Sequence, residues 1–267
     1  MALVLLAMSY FRADAATVGS ALLKAMERTQ ATAVVLDLRT GAVLASAGQQ
    51  RGGAPGSAIK PLLLEYALEH GIVRAETEVY CRRDLHVGSR ALPCTHPANQ
   101  PVFTAESALA ESCNTWFAEM GQRFSGPQLE AALLSTHLPH SSASADAVEQ
   151  RQLAVLGLAG VSATPLELAR AYRDLLEHMP ADGPVARGLK ESVDYGMANS
   201  AAIPGVTILG KTGTASDRGE AWTHGWFAGA IPGRFVVVVF VPHGDGGTAA
   251  QLGRKFFAAM TTEGRAP

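Results

Sequence analysis

The chain is poor in charge and has no run of either sign. Its 267 residues carry 22 Lys and Arg against 24 Asp and Glu, for a net charge of −2. Without a basic stretch, nucleic acid is excluded as the expected partner. Long apolar runs are missing too. The run from Ala2 to Met8 is far shorter than the ~20 residues a membrane-spanning helix needs, and no other segment qualifies. Internal repeats and linkers are absent, so nothing divides the chain into an array or into tethered units. No Gly-x-Ser-x-Gly occurs, which removes the nucleophile elbow of one large hydrolase class. Only 17% of residues are charged while 48% are hydrophobic, a globular composition with enough apolar surface for a large core.

What is present centres on Pro55-Gly56-Ser57-Ala58-Ile59-Lys60-Pro61. Apolar residues at 59, 62, 63, 66 and 67 fall on one face of a helix, and Gly71 stops it. This predicts a helix with Ser57 at its N-terminus and Lys60 one turn on, on the same side. A serine hydroxyl becomes a good nucleophile when a base takes its proton. A lysine amine can be that base if burial and a second cation hold it neutral. Two further motifs follow in order, Ser112-Cys113-Asn114 and Lys211-Thr212-Gly213-Thr214.

S-x-x-K, S-x-N and K-T-G in this order resemble the signature set of penicillin-binding proteins and serine β-lactamases. The chain resembles a penicillin-binding protein transpeptidase domain over roughly residues 31 to 260. Val34 to Ala45 is similar to the family's opening hairpin, and Ser107 to Phe117 to the helix pair carrying S-x-N. Thr164-Pro165-Leu166-Glu167-Leu168-Ala169 resembles T-P-L-Q-L-A, and His224 to Gly229 the strand after K-T-G.

The resemblance implies roles for the motif residues. Ser57 attacks a carbonyl and is acylated, with Lys60 as base. Ser112 passes the proton toward the leaving nitrogen. Asn114 holds Lys60 and the acyl side-chain amide. Lys211 is the second cation and attracts the substrate's terminal carboxylate, which the hydroxyls of Thr212 and Thr214 reach. Gly213 lets the substrate lie against the strand. The backbone N–H groups of Ser57 and Thr214 form the oxyanion hole. No cofactor and no metal is implied. The implied partners are peptidoglycan stem peptides ending in D-Ala-D-Ala, β-lactams as covalent inhibitors, and other cell-wall enzymes.

Three functions compete. A D,D-peptidase, transpeptidase or carboxypeptidase, is the leading reading. A serine β-lactamase would need a base for the deacylating water, for which Glu149 and Glu167 are the candidates. A non-catalytic β-lactam sensor or wall-binding domain is the third. Neither a glycosyltransferase domain nor an N-terminal pedestal is expected within these residues. Ala2 to Met8 with Ala13-Asp14-Ala15 reads as a signal peptide over residues 1–15, so an exported, periplasmic or extracytoplasmic protein is expected.

The fold expected is α+β: a five-stranded antiparallel sheet flanked by terminal helices, with a helical subdomain. Residues 16–267 form one domain, with 16–56 and 200–267 in the sheet part and 57–199 mainly helical. Helices are predicted near 17–29, 104–112, 114–123 and 164–177, and after Thr248; strands over 33–38, 42–46, 223–231 and 235–241. Residues 124 to 160 resist placement. Cys81 and Cys94 flank an aperiodic loop and are expected to form a disulfide worth ~3 kcal/mol. Two other readings stay open: free thiols, or a zinc site of Cys81, His86, Cys94 and His96. Cys113 reads as a small buried filler, and His224 as structural or on the cleft rim.

Overall fold

The computed structural model describes residues 15–142, 147–217 and 219–262. The expected signal peptide lies outside the described residues except for Ala15, which already opens helix α1 (Ala15–Met26).

The hairpin follows as β1 (Thr32–Asp37) and β2 (Val43–Ala47), turning at Gly41 with φ 70°. The last third supplies β7 (Leu209–Ala215), β8 (His224–Ile231) and β9 (Phe235–Val241). These join in one antiparallel sheet of order β2-β1-β9-β8-β7, as expected. The continuous apolar run of β9 is explained by its two covered faces. Val236, Val238 and Phe240 point to the helical subdomain, while Phe235, Val237 and Val239 point to α1 and α9 (Gly246–Thr262). β7 lies at the sheet's edge, and this places its K-T-G sequence beside the helical subdomain.

That subdomain is built on α2 (Lys60–Glu69), whose Leu63, Leu64 and Ala67 are wholly buried. Each such leucine contributes roughly 1.5–3 kcal/mol by leaving water. Around α2 stand α3 (Ala105–Ala110), α4 (Asn114–Arg123), α5 (Gly126–Ser135), α6 (Val148–Val155), α7 (Pro165–His178) and α8 (Pro184–Asp194). The described residues of 124–160 thus hold the α-helices α5 and α6. The first is announced by Ser125-Gly126-Pro127-Gln128, a capping box in which Ser125 accepts from the Gln128 N–H. Between α2 and α3 run two small ribbons. Val79–Tyr80 (β3) pairs with Val102–Phe103 (β6), and His86–Val87 (β4) with Arg90–Ala91 (β5). Among the described residues no helix is long and apolar enough to cross a membrane.

Candidate active site

Ser57 lies in a 3₁₀ turn, Gly56–Ile59, and α-helical geometry begins only at Lys60. The difference from the predicted helix start has a local cause. In an α-helix the Ser57 carbonyl would accept from residue 61, but Pro61 has no N–H. The Lys60 N–H bonds the Ser57 carbonyl instead, closing a 3₁₀ turn. Gly56 enters the turn at φ 53°. A Cβ there would come within 2.6 Å of the Thr214 carbonyl oxygen and 3.0 Å of the Thr214 nitrogen. The backbone of the K-T-G strand therefore runs directly against the residue that precedes Ser57.

Ser112 sits where α3 ends. Its N–H bonds the Leu109 carbonyl, and the Cys113 N–H bonds the Ala108 carbonyl. This is the Schellman closure, whose left-handed position glycine normally fills. Ser112 occupies it at φ 54°, a strained choice for a side-chain-bearing residue. The strain aims its hydroxyl between two buried lysines. Lys211 Nζ donates to Ser112 Oγ at 2.9 Å, and Lys60 Nζ lies 3.3 Å from the same oxygen. Lys60 also donates to the Ser112 carbonyl at 3.0 Å and to Asn114 Oδ1 at 2.8 Å, and its ammonium lies 4.8 Å from the centre of the Phe117 ring. Lys211 donates further to the Thr212 carbonyl at 3.0 Å.

Both lysines are fully buried. Burial pulls the Lys60 ammonium down to about 8, partly offset by the neighbouring Cys113 and Cys94 sulfurs. Burial and then the Lys60 charge pull Lys211 well below the ordinary lysine value. Two like charges sharing one hydroxyl thus favour a neutral amine at this spot.

The three residues after Lys211 differ in their surroundings. Strand alternation puts Thr212 opposite Lys211, buried against Gly246, with its hydroxyl donating to the Met197 carbonyl at 3.4 Å. Thr214 is the exposed threonine, although its Oγ1 accepts from the Gly246 N–H at 3.0 Å. Gly213 makes room for the protein itself. A Cβ there would meet the Pro55 carbonyl oxygen at 2.3 Å and the Ala58 nitrogen at 2.9 Å. Gly213→Ala is therefore expected to push β7 away from the Ser57 turn. It should cost about 1–3 kcal/mol, lowering the thermal midpoint by several degrees, and should slow acylation. Gly19→Ala, inside helix α1 where a Cβ meets nothing, is the contrasting control and should stabilise by roughly 0.5–1 kcal/mol.

The disulfide expected between Cys81 and Cys94 is not formed. Their sulfurs stand 3.5 Å apart, against about 2.05 Å for a bond. A third thiol, Cys113, and the His96 ring enter the same cluster. His86 does not join it; it is exposed and its Nδ1–H donates to the Asp84 carbonyl. His224 is buried, and its Nε2–H donates to the Ala54 carbonyl at 2.8 Å. The indole N–H of Trp226 donates to that carbonyl as well, so both side chains anchor the approach to Ser57. Sequence reading passed over Tyr172, whose hydroxyl donates to the Ala58 carbonyl at 2.7 Å and ties α7 to the Ser57 turn. Its signal is a tyrosine on the apolar face of a capped helix, which reads as core.

The sequence profile of the penicillin-binding protein transpeptidase domain matches residues 31–181 and 183–260. The chain belongs to that family. No curated protein sequence matches it. Solved structures match its fold closely. The D,D-transpeptidase domain of a peptidoglycan glycosyltransferase from Eggerthella lenta has a TM-score of 0.80 at 19% identity, covering 93% of this chain and 82% of that one. PBP2 from Pseudomonas aeruginosa, in complex with WCK 5153, has 0.78 at 17%, covering 92% and 74%. The transpeptidase domain of Burkholderia pseudomallei penicillin-binding protein 3 has 0.77 at 19%, covering 95% and 94%.

Proposed function

We propose that the protein is an exported D,D-peptidase that cleaves the D-Ala-D-Ala end of peptidoglycan stem peptides through an acyl-enzyme on Ser57. The observation that carries this reading is the Ser112 hydroxyl held between two buried lysines, of which Lys60 lies one turn after Ser57. Neutral Lys60 takes the Ser57 hydroxyl proton as Oγ attacks the carbonyl carbon of the scissile amide. The developing oxyanion is met by the N–H groups of Ser57 and Thr214, the backbone of Thr214 running against Gly56 just before Ser57. The proton then passes by way of Ser112 to the leaving nitrogen. As the C–N bond breaks, D-alanine departs and an ester remains on Ser57. An amine or water completes the turnover, giving cross-linking or trimming respectively. An extended peptide suits the edge position of β7, and Lys211 with exposed Thr214 offers its terminal carboxylate a positive, hydrogen-bonding end.

Support for a slow-deacylating enzyme over a β-lactamase comes from the two glutamates. Glu167 is committed to the cap of α7, its Oε2 accepting from the Thr164 N–H and hydroxyl at 2.8 Å each. Glu149 is exposed and its carboxylate packs over Gly88. An opened β-lactam keeps its leaving nitrogen tethered, so it blocks the deacylating nucleophile. A fluorescent penicillin followed over time is expected to label the protein stoichiometrically and to stay bound for minutes or longer. Glu149→Gln should change neither rate. Turnover of several per second, lost in Glu149→Gln with acylation intact, would make the protein a β-lactamase. Absence of label would favour a non-catalytic binder.

A further inference from the structure

This chain has three cysteines, and all three converge with one histidine at a single buried point. Cys81 and Cys94 come from the loop between β3 and β6, His96 from the same loop, and Cys113 from the middle of S-x-N. Their exposures are 6%, 5%, 1% and 0%. Cys81 Sγ is 3.5 Å from Cys94 Sγ and 3.5 Å from His96 Nε2, while Cys94 Sγ is 3.9 Å from Cys113 Sγ. All four ligand atoms lie within 4.8 Å of one another.

We propose that Cys81, Cys94, His96 and Cys113 form a structural zinc site that pins the 81–96 loop to the S-x-N segment. Those three distances are close to the edges of a tetrahedron, and the other three are no longer than 4.8 Å. Zinc–sulfur bonds of ~2.3 Å and zinc–nitrogen bonds of ~2.0 Å put ligands about 3.8 Å apart for two sulfurs and about 3.6 Å apart for sulfur and nitrogen. A Cys₃His set is a standard structural zinc donor set. The alternative, a disulfide, would use two of the thiols and leave a third thiol and an imidazole buried beside it with no role.

The surroundings fit a metal as well. The His96 Nδ1–H donates to the Pro97 carbonyl at 2.9 Å, which leaves the Nε2 lone pair facing the sulfurs. Thr115 Oγ1 stands 3.5 Å from Cys81 Sγ and 3.6 Å from Cys94 Sγ, positioned to donate to thiolate sulfur. Arg83 donates to the His96 carbonyl at 2.8 Å and to the Cys94 carbonyl at 3.4 Å, adding positive charge next to a centre whose three thiolates outweigh the metal's charge.

The consequence reaches the catalytic groups through Asn114. Its Nδ2 donates to the Leu92 and Pro93 carbonyls, both at 3.4 Å, and its Oδ1 accepts from Lys60. Leu92 and Pro93 adjoin one ligand, Cys94, and Asn114 adjoins another, Cys113. The zinc is thus a clamp that fixes the loop supporting Asn114, and with it the Lys60 ammonium. The metal assignment stands apart from the proposed peptidase activity.

The test uses the full chain, purified under reducing conditions, incubated with zinc sulfate and desalted. Elemental analysis is expected to give one equivalent of zinc. Replacement by cobalt(II) should give thiolate-to-cobalt charge-transfer bands and the visible d–d bands of a tetrahedral site. Cys81→Ser and His96→Ala should each abolish retention. Thr115→Val, which leaves all four ligands in place, should weaken zinc affinity roughly 10–100-fold. Stripping the wild-type metal with a chelator should lower the thermal midpoint, and added zinc should restore it. Where a ligand variant fails to fold, the wild-type zinc content and cobalt spectrum decide. Folded wild-type protein that retains no zinc, whether its thiols are free or Cys81 and Cys94 are joined by peptide mass, overturns the proposal. Zinc that survives Cys81→Ser and His96→Ala unchanged overturns it too.

Discussion

Ser57→Ala is expected to lose covalent penicillin labelling entirely while its thermal midpoint stays at the wild-type value. The first half follows from chemistry. An ester needs an oxygen nucleophile, and no other hydroxyl stands one helical turn before a buried lysine that shares Ser112 with a second lysine. Ser112 Oγ itself accepts from both Lys60 and Lys211, which makes it a relay rather than a substitute nucleophile. The second half follows from packing. Ser57 is half-buried, and none of the hydrogen bonds described for the site uses its Oγ. Alanine keeps the Cβ that packs in the turn, and nothing is left unsatisfied. The stability change should therefore stay within about 0.5 kcal/mol. Gel fluorescence or intact mass after incubation with a labelled penicillin reads the first half, and a melting curve the second. Stoichiometric label on folded Ser57→Ala protein would remove Ser57 from the mechanism.

Periodicity was enough to read the sheet. Phe235 to Val241 is apolar at every position because both of its faces are covered, and Pro232-Gly233 marks the turn before it. The capping box at Thr164 likewise announced α7. The 124–160 stretch was harder because its helices are only ten and eight residues long, with Ser141 to Ser144 between them. The Ser125 to Gln128 box was the legible signal there, and it was masked by the serine-rich break. At the site, motif order brought Ser57, Lys60, Ser112, Asn114 and Lys211 into one reading, and the geometry sets Lys60 and Lys211 on the Ser112 hydroxyl with Asn114 holding Lys60. Side-chain direction was not legible. Thr212 and Thr214 share one face of β7 by alternation, and what separates them is depth: Thr212 is buried against Gly246 of α9, while Thr214 lies exposed. The packing need for Gly213 was equally illegible, since its missing side chain would point at Pro55 and Ala58. The cysteines failed differently. A spacing argument looks for partners in one loop, and the fourth member of the cluster, Cys113, comes from inside another motif. His86 took its place on paper because it is near in sequence.

Lys60→Ala is expected to slow penicillin acylation at least about 100-fold, the range for losing a general base. Ser112→Ala should slow it comparably, and the double variant little more than either, because both serve one proton path. The pH dependence separates a base from a merely structural lysine. Burial disfavours the Lys60 ammonium and lowers its value to about 8, so the reactive neutral amine is already appreciable near neutrality. Lowering the pH protonates it. The second-order acylation rate should thus fall about tenfold per pH unit well below 8, and should level off above it. In Lys60→Ala that inflection should vanish along with the rate. Removing Lys60 also leaves the Ser112 carbonyl and Asn114 Oδ1 without their donor, a cost of about 1–3 kcal/mol. Lys60→Met fills more of the space and separates that structural cost from the loss of the base. Both variants should remain folded, because the cost of burying an ammonium disappears with it. Near-normal acylation in either variant, with the wild-type pH profile, would require another base. His224 is the nearest alternative in type, but its Nε2–H is donated to the Ala54 carbonyl, and its Nδ1 faces Asp217 and Glu220 at 3.9 and 3.8 Å. Using it would mean breaking the anchor that holds the approach to Ser57, so His224→Ala should damage stability before it reveals any role in proton transfer.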